Sequence, residues 1–375
     1  MIYFDSGATT LEKPASVRLA MARAVNTMSS PGRGSHQATQ AAEETDYACR
    51  QAAAELFGVE DEANVIFTSN ATHGLNIAIH SLVQPGCRVV ISGYEHNAVT
   101  RPLHAIPNVT LIVLNTPPFQ PERMLEELKT ALVQGVDVVI CNHVSNVFGC
   151  VQPVEEMAAL CLEAGVPFLL DASQSAGILP VRMDRLQAAF IAMPGHKGLY
   201  GPQGTGLLLC NHTVSPLLYG GTGSLSKLQT MPEMLPDRLE SGTHNMPGIA
   251  GLLAGIRYVQ RIGTANIARH EKRLTEQAVS LLRHTEGLRL FWQEGFADQT
   301  GVLSFIAEGI DCEELGERMA RRGVALRAGL HCAPLAHRTV GTLKTGTVRF
   351  SPSAFNTSAQ VVQFAQILQN VLRKM

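Results

Sequence analysis

The sequence predicts an α/β protein: a large unit built on a mostly parallel sheet, followed by a smaller α+β unit. Three observations carry this. Short apolar or β-branched runs alternate with helical patterns from about residue 64 to 210. Hydrophobic residues make up 45% of the 375 and charged residues 17%, which gives enough apolar side chain for a sizeable core and argues against disorder. After about residue 225 the alternation stops at a proline-bearing loop and a different order of elements begins.

In order, the candidate strands of the large unit are NVIF (64–67), RVVIS (88–92), TLIVL (110–114), DVVIC (137–141), PFLL (167–170), AAFIAM (188–193) and GLLLC (206–210). Between them, residues 71–83, 121–135 and 153–165 carry apolar side chains at three- and four-residue spacing, the mark of helices that cover a sheet. Residues 224–248 read as loop. A Gly/Ala-rich helix and a long polar helix (264–285) come next. A strand at 302–306, a helix at 312–323, strands near 324–327 and 347–350, and a closing helix at 358–373 complete the chain. The expected division is a large domain over 16–255 and a small domain made of 1–15 and 256–375.

The bulk numbers exclude several classes of function. A formal net charge of −2 gives no electrostatic reason for a nucleic-acid or acidic-membrane partner. No apolar run reaches the roughly 18 residues that span a bilayer. The N-terminus lacks a basic region followed by an apolar stretch, so a cytoplasmic location is expected. The eight cysteines form no CxxC pair and the thirteen histidines no zinc-type cluster, so free thiols and no metal are expected.

The chemistry concentrates at strand ends, where α/β sheets bind ligands. In 167-PFLLDASQSAG-177, Asp171 follows an apolar strand and Gln174 comes three residues later. Asp171 reads either as a turn or cap residue or as a carboxylate for a cationic ring nitrogen. In 193-MPGHKGLYGPQGTG-206, Lys197 sits among glycines that let backbone approach something closely. A lysine that attacks a carbonyl must be partly deprotonated, and a lysine Schiff base with an aspartate on the ring nitrogen is the signature of pyridoxal-phosphate enzymes. The turn 68-TSNATHG-74, with Ala71 and Thr72, reads either as a phosphate cradle at a helix start or as a plain N-cap. His96 follows a strand, where its ring could stack on a cofactor or lie in a loop.

With 3-YFDSGATT-10, 33-RGSH-36, 67-FTSNATHGLN-76, 95-EHNA-98, 142-NHVSNVFG-149, 171-DASQ-174, 195-GHKGLYGPQGTG-206, 240-ESGTHN-245, 327-RAGLHCAP-334 and 349-RFSPSAFNT-357 in order, the chain resembles the cysteine desulfurase / selenocysteine lyase family. These are class V aminotransferase-fold, fold-type I pyridoxal-phosphate enzymes. The resemblance implies that Lys197 carries the cofactor covalently and acts as base. Asp171 would pair with the ring nitrogen, Gln174 with the ring hydroxyl, and His96 would stack on the ring. Ala71, Thr72 and His196 would hold the phosphate, and Thr243 would reach it from the other subunit of a homodimer. Ala8, Asn146 and Arg349 would meet the substrate, Arg349 through its bidentate fork.

The resemblance makes Cys332 the acceptor of sulfur from L-cysteine as a persulfide, leaving L-alanine. L-selenocysteine is the alternative substrate, a cysteine or cystine lyase another reading, and a sulfur-acceptor protein an implied partner. His331 and Arg327 lie within five residues of Cys332, and a positive charge there would favour its thiolate. The short RAGLHCAP turn resembles the branch with an ordered cysteine lobe, which implies slow turnover until the persulfide is removed. Pro194, His73 and Gly198 depart from the family's usual residues.

Overall fold

Side chains of the predicted runs alternate between two apolar faces, and this makes them strands of one sheet. The computed structural model describes residues 1–32 and 34–373; Arg33, the first residue of the RGSH segment, lies outside the described residues. The chain opens with β1 (Ile2–Tyr3) and two helices, α1 (Ala15–Thr27) and α2 (Gln37–Phe57). Strand and helix then alternate: β2 (Val65–Thr68), α3 (Ala71–Leu82), β3 (Arg88–Ser92), α4 (Asn97–Ala105), β4 (Thr110–Leu114) and α5 (Pro121–Val133). They continue through β5 (Val138–Asn142), α6 (Val154–Glu163), β6 (Phe168–Asp171), α7 (Met183–Leu186), β7 (Phe190–Pro194) and β8 (Gly206–Cys210).

Each of the seven predicted runs forms a strand within a residue or two of its expected bounds. The sheet order is β2-β8-β7-β6-β5-β3-β4, parallel from β7 to β4, with β8 antiparallel to both neighbours. Ile191, Met193, Leu207 and Leu209 point into one core; Phe190, Ala192, Leu208 and Cys210 point into the other. Such two-sided burial, at roughly 1.5–3 kcal/mol for each large apolar side chain, is why these strands read as unbroken apolar runs. β4 and β5 flank β3 on opposite sides, so the chain switches direction across β3, and a crevice opens between the carboxyl ends of β3 and β5.

The second half begins with α8 (Met246–Ile262), which packs on α1 and α2, and α9 (Thr264–Leu282). Four strands, β9 (Leu288–Phe291), β10 (Leu303–Ala307), β12 (Arg327–Gly329) and β13 (Thr347–Phe350), form an antiparallel sheet in the order β12-β13-β10-β9. The remaining elements are α10 (Cys312–Ala320), β11 (Val324–Ala325), α11 (Pro334–Val340) and α12 (Ser358–Leu372). β1 pairs in parallel with β11, and the Phe4 ring packs tilted against Phe350 with centroids 4.3 Å apart, so the N-terminus belongs to this second core. The boundary expected at residue 255 falls inside α8, which runs unbroken to Ile262.

Several elements went unassigned from the sequence, including α1, α2, α4, α11 and β9. α4 is disguised by Pro102 within it, and α11 by the proline at its first position. No helix among the described residues is long and apolar enough to cross a membrane. None of the eight cysteines is paired in a disulfide.

Candidate active site

The carboxyl ends of β2, β3, β5, β6 and β7 converge on a cavity of about 210 Å³. Ala8, Ala71, Thr72, His96, Asn146, Asp171, Gln174, His196 and Lys197 all line it, which brings together most of the residues singled out from the sequence. Asn70, Asn142, Val144 and Ser173 line it too and carried no motif signal strong enough to be chosen.

Lys197 rides on a tight turn after β7. Gly195 N–H donates to Thr205 O and Gly201 N–H to Gly195 O, each at 2.8 Å, closing the loop on itself. A Cβ at Gly198 would lie 2.3 Å from the Ala176 carbonyl oxygen, and one at Gly195 would lie 2.2 Å from Thr205 Oγ1. These glycines let the turn pack closely against the chain's own neighbours. Burial, then the Arg349 cation, lowers the Lys197 amine to about 8, against the pull of Asp171 and Asp5. A usable neutral fraction exists at physiological pH.

Asp171 ends β6 between Asn142 of β5 and Ala192 of β7, and its Oδ1 accepts from Ser173 N–H at 2.9 Å. Asp171 thus caps the turn, and it also lines the cavity. Asn70 caps α3 by accepting from His73 N–H, leaving the N–H groups of Ala71 and Thr72 free at the helix start. His96 caps α4, its Nδ1 accepting from Ala98 N–H at 3.0 Å, so its other nitrogen carries the proton. Burial holds the His96 pKa below its ordinary value and pushes His196 down to about 4, so both rings are neutral at pH 7.

Arg349 is 2% exposed. Its Nη1 donates to Asn146 O and its Nη2 to Asp5 Oδ1, both at 2.8 Å, and its Nε has no partner. The bidentate fork expected from the sequence is therefore partly engaged by the chain's own oxygens. Asn146 Nδ2 donates to His331 O at 2.8 Å, and Asn146 Oδ1 is likewise buried and unpaired. Unmatched buried groups of this kind are few in folded proteins.

Cys332 is exposed and does not line the cavity. It sits in the turn Leu330–Ala333, closed by Ala333 N–H to Leu330 O at 2.8 Å, with φ of 49° at His331 and 56° at Cys332. Two successive non-glycine residues at positive φ cost on the order of 1–2 kcal/mol each. The turn is held there from across the crevice: Asn97 N–H donates to Cys332 O, and Asn146 to His331 O. One expectation is corrected here. His331 is not a cation beside the thiol, because burial and the nearby Arg349 charge hold its pKa well below the ordinary value. Its Nε2 lies 3.1 Å from Thr347 O, leaving Nδ1 unpaired.

Thr243 stands apart. It is exposed in a separate cleft bordered by Ser69, His73 and Gly204, and no side-chain hydrogen bond engages it. The arch that carries it is anchored at both ends. Arg50 donates to Glu240 and Asp46, while His244 Nδ1 and Nε2 lie 3.0 Å from Asp46 Oδ1 and 3.1 Å from Glu240 Oε2. Bonds to those two carboxylates raise His244 to about 9. A His pKa raised on folding stabilises fully below about 6.5 and loses that contribution as pH climbs through 9. His244→Gln is therefore expected to cost on the order of 2–3 kcal/mol at pH 6 to 7. The gap in Tm between variant and wild type should close by pH 9.5; a gap independent of pH would show that His244 is neutral in the fold.

The aminotransferase class-V family model matches residues 2–364. A probable cysteine desulfurase of Xylella fastidiosa (strain Temecula1) is 31% identical, covering 99% of this chain and 91% of its own. One from Mycolicibacterium paratuberculosis is 32% identical over 99% of this chain, which spans only 55% of that relative. Among solved structures, an apo cysteine desulfurase from Thermococcus onnurineus NA1 superposes with a TM-score of 0.91 at 29% identity, covering 100% of this chain and 95% of that one.

Proposed function

The chain belongs to the class-V aminotransferase family, among the cysteine desulfurases, and from that premise we propose that it converts L-cysteine to L-alanine with pyridoxal phosphate and passes the sulfur to Cys332. The observation that carries this reading is one cavity lined by a lysine with a lowered pKa, a buried strand-end aspartate and an open helix start. This donor set fits pyridoxal phosphate group by group. Lys197 offers an amine to the aldehyde, Asp171 a carboxylate to the ring nitrogen, and Ala71 and Thr72 offer N–H groups to the phosphate. What the group supplies when bound is an electron-withdrawing ring that acidifies the substrate Cα–H and weakens its Cβ–Sγ bond.

The chain's own residues do the rest. With the cofactor bound, Lys197 would take the Cα proton on its Nζ. Arg349 and Asn146 hold the substrate carboxylate, with the unpaired Arg349 Nε as the free donor. Neutral His96 caps α4 and would offer a flat face to the cofactor ring, while Gln174, which donates to Gly7 O at 2.9 Å, would meet the ring hydroxyl and Ala8 the substrate. His196, whose Nδ1 lies 3.0 Å from Thr9 Oγ1, would also hold the phosphate. Cys332 Sγ forms an S–S bond to the substrate sulfur as the Cβ–Sγ bond breaks. The electron pair of that bond stays with the carbon skeleton, which takes up protons and leaves as alanine. A reductant or an acceptor protein then removes the persulfide sulfur.

The outward-facing Thr243, with no side-chain bond of its own, supports a homodimer in which it reaches the partner's phosphate. The test is one preparation: purified protein with added pyridoxal phosphate and L-cysteine, assayed for alanine, with its mass from light scattering. Stoichiometric alanine and sulfide in the presence of a thiol reductant, from a species of twice the chain mass, is the expected result. Pyruvate and ammonia in place of alanine would identify an eliminating lyase instead.

A further inference from the structure

The carbonyl oxygen of His196, in the peptide bond that leads into Lys197, is crowded with donors. It accepts from Lys13 Nζ at 2.9 Å, Thr10 Oγ1 at 3.0 Å, Thr10 N–H at 3.2 Å and Thr9 Oγ1 at 3.3 Å. A carbonyl oxygen has two lone pairs, so these donors exceed what satisfying one acceptor requires. Among the described residues, every hydrogen bond to this oxygen comes from the segment 9–13. Thr10 Oγ1 also lies 3.3 Å from Lys197 O, and Lys13 donates to Thr10 Oγ1. The segment is itself fastened: Tyr3 Oη donates to Thr9 O at 2.8 Å, and Asp5 O accepts from Ala8 N–H at 3.0 Å. Just beyond Lys13 the chain enters α1, which packs on α8. Among the described residues no charged neighbour opposes the burial that lowers the Lys13 amine to about 8. Its charge falls on the His196 ring instead, where it adds to burial and Lys197 in keeping that ring neutral. A cation desolvated to hold a carbonyl and a hydroxyl, with no carboxylate to offset it, costs stability.

We propose that Lys13, together with Thr10, is a positioning residue: the two clamp the His196 carbonyl and so fix the peptide plane from which the Lys197 side chain leaves. The peptide group is planar, so holding its oxygen sets the direction of the bond from its nitrogen to the Lys197 Cα. The turn's own bonds leave this oxygen free. Gly195 N–H donates to Thr205 O, Gly201 N–H to Gly195 O, and Tyr200 N–H to Lys197 O at 2.9 Å. The 196–197 peptide is therefore held from outside the turn, by a segment that β1 ties to the smaller unit through β11. Neither Lys13 nor Thr10 lines the main cavity, so each acts on the reaction only through Lys197. Misplacing a reacting group by about 1 Å can cost on the order of 100-fold in rate, which is the leverage such a clamp has.

The proposal rests on Lys197 acting as the base, so its test has one arm that needs neither cofactor nor reaction. Lys13→Met keeps the stem and removes the ammonium; Thr10→Val keeps the shape and removes the hydroxyl. In protein without cofactor, amide hydrogen exchange across residues 195–205 should quicken about tenfold in either variant, with β5 and β6 exchanging as in wild type. Unchanged exchange in the turn would overturn the clamp whatever the enzyme does with cysteine. In the second arm, with pyridoxal phosphate and L-cysteine, each variant should lower kcat for alanine release about tenfold and leave KM within about twofold. Lys13→Arg, which returns a cationic donor to the carbonyl, should recover most of the wild-type kcat and the slow exchange. An unaltered kcat in Lys13→Met, or an arginine variant no better than methionine, would sink the positioning role while leaving the assigned reaction intact. Should Lys13→Met fail to fold, Thr10→Val carries both arms, and an unaltered kcat in that variant would equally overturn the proposal. Wild type measured alongside reports on the assigned reaction itself, so the two can fail separately.

Discussion

Lys197→Ala is expected to abolish the visible absorbance that wild-type protein gains with pyridoxal phosphate, and to reduce alanine production from L-cysteine by roughly a thousandfold or more. Both effects are those of the roles proposed for one amine, attaching the cofactor and moving the Cα proton. The turn's geometry does not depend on that side chain, since its bonds run between the backbones of Gly195, Lys197, Tyr200, Gly201 and Thr205. Stability should move the opposite way from activity. A lysine whose pKa falls from 10.5 to about 8 on folding destabilises the fold at pH below 8, and this penalty disappears as pH rises through 10.5. Removing it at pH 7 should hold or raise Tm, by an amount worth on the order of a few kcal/mol. Loss of cofactor absorbance with an unchanged or higher Tm would separate chemistry from folding. Full absorbance in the variant would remove Lys197 from the reading.

The sheet was legible because its strands are largely buried on both faces, so the VVI of β3 and the GLLLC of β8 are apolar without interruption. The site was legible where a rare residue follows such a strand, as Asp171 and Lys197 do. What stayed hidden depends on tertiary placement. Asn142 and Ser173 are ordinary strand-end letters until the cavity forms around them. His331 is next to the exposed Leu330 yet buried, and its neutrality follows from the packing of α11 and β13 around it rather than from its neighbours in sequence.

One buried acid away from these motifs did leave a trace: Glu271 is only 5% exposed and lies on α9. Ile267, Leu274, Ala278 and Leu282 mark the buried stripe of α9, and Glu271 falls on that stripe, four residues after Ile267 and three before Leu274. A charged residue on an apolar stripe is a signal that periodicity alone could have raised. Glu95 is a second case: it is fully buried, its Oε1 accepts from Ser92 and Asn142, its Oε2 has no partner, and burial lifts its pKa to about 8. In sequence it is only the letter before His96.

Cys332→Ala is expected to lose alanine production from L-cysteine almost completely while keeping it from L-selenocysteine. The difference lies in the bond that breaks. Selenium is a better leaving group and a more stable anion than sulfur at neutral pH, so its departure does not need a thiolate to take it. Sulfur needs the acceptor, and the structure presents one: an exposed thiol on a turn kept at unfavourable φ by bonds from Asn97 and Asn146. Strain held in place by the crevice's own walls is a cost that a bystander cysteine gives no reason to carry. Because the strain belongs to the backbone, alanine at 332 keeps it, so the variant tests the thiol alone. Cofactor absorbance should be unchanged, since Cys332 does not line the cavity that holds Lys197. Equal alanine from cysteine in variant and wild type would make the turn a packing feature and assign the reaction to elimination. Loss with both substrates would mean that the turn, through Asn146, governs how either substrate is held, and that sulfur transfer is not the step Cys332 controls.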